Sequence, residues 1–321
     1  MKRHVTMSAT NEPRQNFSSK EEMIGVGDYL KLRSFDSSNE YIAYRTTTTV
    51  SHNNSRNLGG VIYCNGFRSV MTGNKARRLE EFCVHYNISF TRFDYRGHGQ
   101  SYCGHEDRNS SSYFETLGLS DWIADAERIL QKVVAEDPEH RPQILVGSSM
   151  GAWIALHLAI RNQCHVAAIV GLAAAPDFTH AIFQPKLTPR QWEEMTQTGR
   201  VLMPSEYSEK PYPISQHFLD DAVQWLLLPS SKTLLSSFHN KLSLASARGG
   251  LENVSCPIRL IHGQEDEDIP WQTSLRVAEA VDTEDVQVTL VKSGDHRLSK
   301  ELELDLMCRT LEDLIRHHCC A

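Results

Sequence analysis

Short, mainly apolar runs alternate with helical patterns of apolar and polar positions along this chain. A short apolar run predicts a buried strand, and apolar positions three or four residues apart predict a helix with one buried face. The predicted strands cover 61–64, 88–95, 144–146, 166–172, 258–261 and 286–291, and the predicted helices cover 74–86, 119–134, 153–160 and 300–317. This alternation is typical of βαβ units, so we predict an α/β fold with a mostly parallel central sheet flanked by helices.

The pattern changes after Pro176, where helical periods follow one another without intervening strands. One of these helices begins with Thr188 in the N-cap position and Pro189 at the first helical position. We therefore predict a helical lid insertion at about 177–245, carried by a single domain that spans 25–321.

The apolar side chains of this insertion are candidates for binding an acyl chain. Phe178, Phe183 and Trp225 are the candidate contacts. Each buried CH₂ contributes about 0.8 kcal/mol, so six methylenes of a bound chain would contribute roughly 5 kcal/mol. The alternative for 225–228, which are apolar at helical spacing, is that they pack the lid onto the core.

Composition limits the classes of function. The chain has 321 residues with a formal net charge of −7 and scattered Lys and Arg, which argues against nucleic acid and anionic membranes as partners. No apolar run is long enough to span a membrane, so we predict a soluble protein. Its eight cysteines include no C-x-x-C pair, so we expect reduced thiols, no metal site and no cofactor.

The first residues, 1–24, are polar and show no stable period, so we predict a flexible leader. Its basic start with Ser and Thr is compatible with a mitochondrial transit peptide. Three glutamates, Glu12, Glu21 and Glu22, weigh against that interpretation.

The motif Gly147-Ser148-Ser149-Met150-Gly151 matches G-x-S-x-G directly after a predicted strand and before a predicted helix. At such a turn the central serine lies on a strained backbone with its hydroxyl exposed, and flanking glycines avoid collisions with neighbouring elements. Ser149 is therefore the candidate nucleophile. Ser148, at the second position of the motif, is the alternative.

A serine hydroxyl needs a general base that is itself oriented by an acid, and the chain order in this kind of fold is serine, acid, histidine. Asp266, after the strand at 258–261, and His296, after the last strand, fit that order. Asp268 and Glu265 remain alternatives for the acid, because the sequence does not show which side chain turns inward.

The developing oxyanion needs preorganised backbone N–H donors. The residue after the nucleophile, Met150, should supply one donor at a helix N-terminus. The loop after the strand at 61–64 should supply the second, and Phe67 is the candidate there.

His98 also lies after a predicted strand, at the edge where sites of open α/β sheets gather. Its two glycine neighbours favour a different interpretation, a tight structural turn.

Several stretches together make the chain recognisable. It resembles the α/β-hydrolase superfamily over 41–315, and within it is similar to the mitochondrial palmitoyl-protein thioesterases that are also described as acyl-glucuronide esterases. The resemblance implies a serine hydrolase with Ser149, Asp266 and His296 as its triad, acting on acylated proteins or small-molecule esters in mitochondria. The stretches that carry it are Gly66-Phe67-Arg68-Ser69-Val70-Met71-Thr72-Gly73-Asn74-Lys75-Ala76, Leu79-Glu80-Glu81-Phe82-Cys83, Arg92-Phe93-Asp94-Tyr95, Pro142-Gln143 through Gly151, and Asp295-His296-Arg297.

The chain departs from that group at a few positions. It has Ala152 after the elbow where the group has glycine, and Asn65 before the oxyanion loop where the group has proline. Extra residues near 229–250 lengthen the lid. The resemblance therefore defines the substrate preference less well than it defines the catalytic chemistry.

Three other functions remain as alternatives: a small-molecule carboxylesterase, a serine peptidase, and a non-catalytic binding module. A binding module typically lacks a triad member or an oxyanion glycine, and none is missing here. The sequence leaves the acyl donor and the oligomeric state open.

Overall fold

The computed structural model describes residues 30–33, 41–47, 58–101, 111–204, 211–228 and 250–318, so the predicted leader at 1–24 lies outside the described residues. The strands are β1 (Leu30–Arg33), β2 (Tyr41–Thr47), β3 (Gly60–Cys64), β4 (Phe90–Phe93), β5 (Gln143–Ser148), β6 (Val166–Leu172), β7 (Arg200–Met203), β8 (Tyr212–Ser215), β9 (Ile258–Gly263) and β10 (Val286–Val291). The α-helices are α1 (Asn74–His85), α2 (Ser111–Glu115), α3 (Leu119–Glu136), α4 (Met150–Arg161), α5 (Gln184–Lys186), α6 (Pro189–Thr198), α7 (Gln216–Ala222), α8 (Gln272–Ala280) and α9 (Glu301–His318). A π-helical turn covers Thr179–Phe183, and 3₁₀ turns cover Gln163–His165, Val223–Trp225 and Leu251–Asn253.

Eight of these strands form one central sheet in the order β1-β2-β4-β3-β5-β6-β9-β10. The pairs β1–β2 and β2–β4 are antiparallel, and every pair from β4 to β10 is parallel. All residues of β3, β4 and β5 are buried, as a parallel sheet covered on both faces requires. The predicted mostly parallel sheet is confirmed.

Helices cover both faces of the sheet. On one face α3 and α4 bury Trp122 and Trp153 against the sheet, and on the other α1 and α9 bury Leu79 and Leu311. The buried residues of α1 and α3 recur at the 3.6-residue period and so form one face, whereas α4 is buried on all sides over 150–159. No helix in the described part of the chain is both long and apolar enough to cross a membrane.

The segment between β6 and β9 corrects one prediction. Strands were not expected in it, yet β7 and β8 form an antiparallel hairpin in which Val201 pairs with Ile214 and both are buried. The predicted start of α6 is confirmed, since the Thr188 hydroxyl accepts from the Gln191 N–H and Pro189 is the first helical residue. We call residues 177–228 the cap segment; the rest of the predicted insertion lies outside the described residues.

Buried hydrogen bonds close the cap segment and attach it to the core. The Asp177 carboxylate joins the two ends of the segment by accepting from the N–H groups of Leu227 and Leu228 at 2.8 and 2.7 Å. The carbonyl of Trp225 accepts from the indole N–H of Trp153 on α4 at 3.0 Å, and Trp225 itself is buried. These contacts give Trp225 the packing role that the sequence left as the alternative.

Candidate active site

The turn between β5 and α4 holds Ser149 in an unusual conformation. Its backbone has φ 54° and ψ −118°, a strained region for a residue with a Cβ, and such residues cost of order 1–3 kcal/mol. The Ser149 N–H donates to the carbonyl of Leu172 at 2.8 Å, which ties the turn to the neighbouring strand β6. Strain kept at one serine between a strand and a helix is typical of a functional turn.

Two glycines let the turn pack this closely. A Cβ on Gly147 would lie 2.5 Å from the backbone of Ala152, and a Cβ on Gly151 would lie 2.1 Å from the carbonyl oxygen of Cys64. Both distances are far below van der Waals contact, and both obstacles are backbone atoms, which cannot rotate away. Glycine is therefore required at both positions, because no side chain fits there without a clash with the backbone.

Gly151→Ala is expected to destabilise the fold, because its methyl group would push α4 away from β3. We expect the free energy of unfolding to fall by about 2 kcal/mol or more, within the range for overpacked buried sites. Urea denaturation followed by circular dichroism measures this change. The matched control is Gly199→Ala, where no atom lies within 4 Å of the added Cβ and only the left-handed φ of 75° opposes it; an equal loss in both variants would contradict the steric explanation.

The structure brings the predicted acid, histidine and serine into one hydrogen-bonded row. The imidazole of His296 lies with Nε2 3.0 Å from Ser149 Oγ and with Nδ1 2.8 Å from Asp266 Oδ2. Asp266 follows β9 and His296 follows β10, so the parallel strands place both loops at the same edge of the sheet. Glu265, one alternative acid, is exposed to solvent.

The Asp266 side chain is fully buried and accepts four hydrogen bonds. Oδ1 accepts from the N–H groups of Asp268 and Ile269 at 3.0 and 2.8 Å, and Oδ2 accepts from His262 Nε2 at 3.0 Å and from His296. Burial alone would raise the pKa of this carboxyl, but the bonds from His262 and His296 outweigh it and hold the pKa below its usual range. The group is a carboxylate at neutral pH.

His262 is a direct neighbour of the Asp266 carboxylate that the sequence analysis did not single out. Its ring is buried; Nδ1 lies 2.7 Å from Ser274 Oγ, and Nε2 faces Asp266 Oδ2 and the carbonyl of Ile269. Both groups that face Nε2 are acceptors, so Nε2 carries the proton. The sequence feature that could have identified His262 is its position at the end of a buried strand, four residues before Asp266.

The loop after β3 lies against the serine turn. A Cβ on Gly66 would lie 3.2 Å from the carbonyl oxygen of Ser148 and 3.4 Å from the Cβ of Ser149, so the backbone at Gly66 packs against this turn. The Phe67 N–H donates to no acceptor among the residues that the structure describes. Met150 is the first residue of α4, and its N–H therefore has no acceptor within the helix.

Aromatic side chains from the core and the cap segment surround Phe67. Its ring stacks on Phe218 at a centroid distance of 5.5 Å and meets Tyr212 and Phe178 at 5.8 and 6.0 Å. Phe178 in turn contacts Phe183 at 5.0 Å. Two of the three predicted acyl contacts, Phe178 and Phe183, thus adjoin the loop after β3, Phe178 directly and Phe183 through Phe178.

Asp266, Asp268 and His296 each offer one possible metal ligand, and these ligand atoms all lie within 4.8 Å of one another. The Asp266 and His296 atoms of this group already hydrogen-bond each other. We therefore assign the cluster to the hydrogen-bonded row that ends at Ser149.

Comparison with known proteins gives consistent results. The profile described as serine aminopeptidase S33 matches residues 59–303. The mitochondrial palmitoyl-protein thioesterase ABHD10 of Homo sapiens is 37% identical over 257 residues, which cover 80% of this chain and 72% of that protein. Among solved structures, alpha/beta hydrolase domain-containing protein 10 from mouse is 31% identical with a TM-score of 0.69 over 90% of this chain and 99% of that one. A hydrolase from Agrobacterium vitis S4 is 28% identical with a TM-score of 0.72 over 89% and 97%. These similarities confirm the predicted α/β-hydrolase fold and the resemblance stated from the sequence.

Proposed function

The chain belongs to the serine aminopeptidase S33 family of α/β-hydrolases, and from this membership we propose that it hydrolyses acyl thioesters and esters through Ser149. Acyl-protein thioesters, palmitoyl-protein thioesters in particular, are the proposed principal substrates, with acyl glucuronides as a second class. The observation that carries the proposal is the row of contacts from Asp266 through His296 to Ser149.

The row defines the direction of proton transfer. Because Asp266 Oδ2 is a carboxylate oxygen, His296 Nδ1 carries a proton and donates it to that hydrogen bond, leaving the Nε2 lone pair for the Ser149 hydroxyl. Ser149 Oγ attacks the acyl carbon while its proton moves to His296 Nε2. The imidazolium that forms is stabilised by Asp266, which stays ionised.

The carbonyl π electrons move to the acyl oxygen, and the N–H groups of Phe67 and Met150 receive the resulting oxyanion. Collapse of the tetrahedral intermediate breaks the bond to the leaving group and forms an acyl-enzyme on Ser149. A thiolate can depart before it is protonated and then takes the proton from His296 Nε2, whereas an alkoxide or sugar oxygen needs that proton as the bond breaks; in both cases His296 returns to its neutral form. Water then attacks the acyl-enzyme while neutral His296 takes its proton, and collapse of the second tetrahedral intermediate releases the acid and returns that proton to Ser149 Oγ.

The aromatic side chains beside the oxyanion loop support an apolar acyl group. A continuous series of ring contacts begins next to the nucleophile turn and runs from Phe67 through Phe178 to Phe183. The human relative is a palmitoyl-protein thioesterase, which supports the same substrate class. A peptide substrate, which the family description suggests, would gain little from this lining.

The test of the proposed function is a paired assay on the purified wild-type protein. An S-palmitoylated cysteine peptide and an acyl glucuronide are offered at equal concentration, and the released peptide thiol and aglycone acid are quantified. We expect the thioester to be cleaved with the higher kcat/KM, because a thiolate leaves more readily than a sugar oxygen. A peptide amide of the same sequence serves as the comparison for peptidase activity and should remain intact.

A fluorophosphonate probe gives a second readout, since it labels only an activated serine. We expect one adduct, located by mass spectrometry on the peptide that contains Ser149. A protein that cleaves neither substrate, ignores a p-nitrophenyl ester and resists the probe would contradict the proposal and favour the binding module.

We also propose a mitochondrial location. It is supported by the human relative, which is a mitochondrial protein.

A further inference from the structure

The loop that carries Phe67 is a strained β-turn. The Ser69 N–H donates to the carbonyl of Gly66 at 3.0 Å, which closes a four-residue turn with Phe67 and Arg68 in its centre. Arg68 has φ 56°, whereas Phe67 is not among the residues with positive φ. A positive φ only at the third position defines a type II turn, which prefers glycine there. Arginine at this position therefore needs compensation from the surroundings.

His98 provides an acceptor for the turn. Its Nε2 lies 3.1 Å from the N–H of Arg68, the central peptide of the turn. Type I and type II turns differ in the direction of this peptide, and the glycine preference of type II disappears in type I. An acceptor fixed beside the Arg68 N–H thus favours the type II form over the relaxed alternative.

The protonation state of His98 is set by its other contact. Nδ1 lies 3.0 Å from the carbonyl oxygen of Arg96, which can only accept, so Nδ1 carries the proton and Nε2 keeps its lone pair. Burial lowers the pKa of His98 to about 4, and the nearby Arg68 charge also lowers it, against the bond to Arg96. His98 therefore stays neutral, and an acceptor, at neutral pH.

The imidazole is held in place by rings that also contact Phe67. Phe114 and Trp122 each lie 5.3 Å from the His98 ring, and the same two side chains lie 5.5 and 5.8 Å from the Phe67 ring. The Trp122 indole N–H also donates to the carbonyl of Arg96 at 3.1 Å, the group that fixes His98 Nδ1. The position of the acceptor and the position of Phe67 thus depend on the same packing.

We propose that His98 is a positioning residue that holds the Gly66–Ser69 turn in its type II form and thereby keeps the Phe67 N–H aligned for the oxyanion. The proposal rests on the proposed function, because it assigns a role within the same reaction. It replaces the structural-turn interpretation of His98 with one in which the side chain acts on the site through Arg68.

Substitution of His98 separates the acceptor from the packing. His98→Phe keeps a ring among Phe114 and Trp122 but removes the acceptor, and we expect kcat on a p-nitrophenyl ester to fall about 10- to 100-fold, less than full loss of an oxyanion donor. KM should change little, since the lost alignment acts on the transition state. His98→Gln, whose side-chain oxygen can accept from the Arg68 N–H, should retain more of kcat than His98→Phe.

The decisive variant relieves the strain at Arg68. Glycine adopts the type II geometry without an acceptor, so Arg68→Gly added to His98→Phe should restore at least part of the lost kcat. A role of His98 in core packing alone would not respond to Arg68→Gly. No recovery in the double variant, or an equal loss in His98→Phe and His98→Gln, would overturn the proposal.

Two further measurements keep the result interpretable. Thermal unfolding of each variant shows whether it folds, and His98→Leu serves as the acceptor-free variant if His98→Phe does not. Ser149-dependent cleavage of the ester by the wild type supports the proposed function whatever the His98 variants do, so failure of one claim is distinguishable from failure of the other.

Discussion

Ser149→Ala is expected to lower kcat on an S-palmitoyl peptide by about 10⁶-fold, the size of effect seen when the nucleophile of a serine triad is removed. The reason is chemical: without Oγ there is no acyl-enzyme, and His296 Nε2 has no hydroxyl to deprotonate. Activity that remains would come from the oxyanion donors and substrate binding. The measurement is the single-turnover rate of thiol release, with fluorophosphonate labelling as the second readout.

Ser148→Ala is the matched control, because it removes a hydroxyl from the neighbouring residue of the same motif. Ser148 is buried at the end of β5 and hydrogen-bonds the Tyr63 side chain, whereas the His296 imidazole contacts Ser149 Oγ. Its replacement should leave probe labelling intact and lower only the free energy of unfolding. Loss of labelling in Ser148→Ala with retention in Ser149→Ala would reverse the assignment of the nucleophile.

The position of the turn that holds Ser149 could be predicted because its constraints are local. A strand, a two-glycine turn and a helix follow one another within about twenty residues, and the space requirements of Gly147 and Gly151 come from the elements that the pattern predicts. The predicted and observed ranges are the same for β6 and for β10, whereas the fully buried β5 extends beyond its predicted range of 144–146 at both ends, so boundary accuracy does not follow burial. The predicted strand at 88–95 is longer than β4, because only Phe90–Phe93 form ladder hydrogen bonds with the neighbouring strands.

The hairpin of the cap segment could not be predicted, for two physical reasons. Each of its strands has only four residues, too few for an alternation of apolar and polar positions to be distinct. The second strand contains Pro213, which cannot donate to the ladder and normally argues against a strand. Pro213 pairs with Leu202 in a two-stranded hairpin, where both strands are edges and a missing donor is tolerated.

The choice of acid illustrates a different limit. Glu265, Asp266 and Asp268 are close in sequence, and chain order alone does not show which carboxylate points inward. That direction depends on non-local contacts: Gln264 and Glu265 donate their N–H groups to the carbonyls of Val291 and Gly294, which join the acid loop to the histidine loop. His262 was missed for the same reason, since its partner Ser274 lies on the next helix.

Asp266→Asn is expected to lower kcat about 10⁴-fold while the fold is retained, as for other triads in which the acid becomes an amide. The hydrogen-bond pattern explains the loss. The N–H groups of Asp268 and Ile269 face Oδ1 and cannot change direction, so the oxygen of the new amide must occupy that position. The NH₂ group then faces His296 Nδ1 and donates to it, which moves the imidazole proton to Nε2 and leaves no lone pair for Ser149.

Asp268→Asn is the control for the Asp266 substitution, because it makes the same chemical change at the alternative acid. Asp268 contributes its backbone N–H to Asp266, and that contact survives the substitution, so kcat should change only a few-fold. The tautomer itself is measurable, since ¹⁵N shifts of His296 should report a proton on Nδ1 in wild type and on Nε2 in Asp266→Asn. Equal losses in the two variants, or an unchanged tautomer with a large loss in Asp266→Asn, would show that the carboxylate acts through its charge on the whole loop rather than by orienting His296.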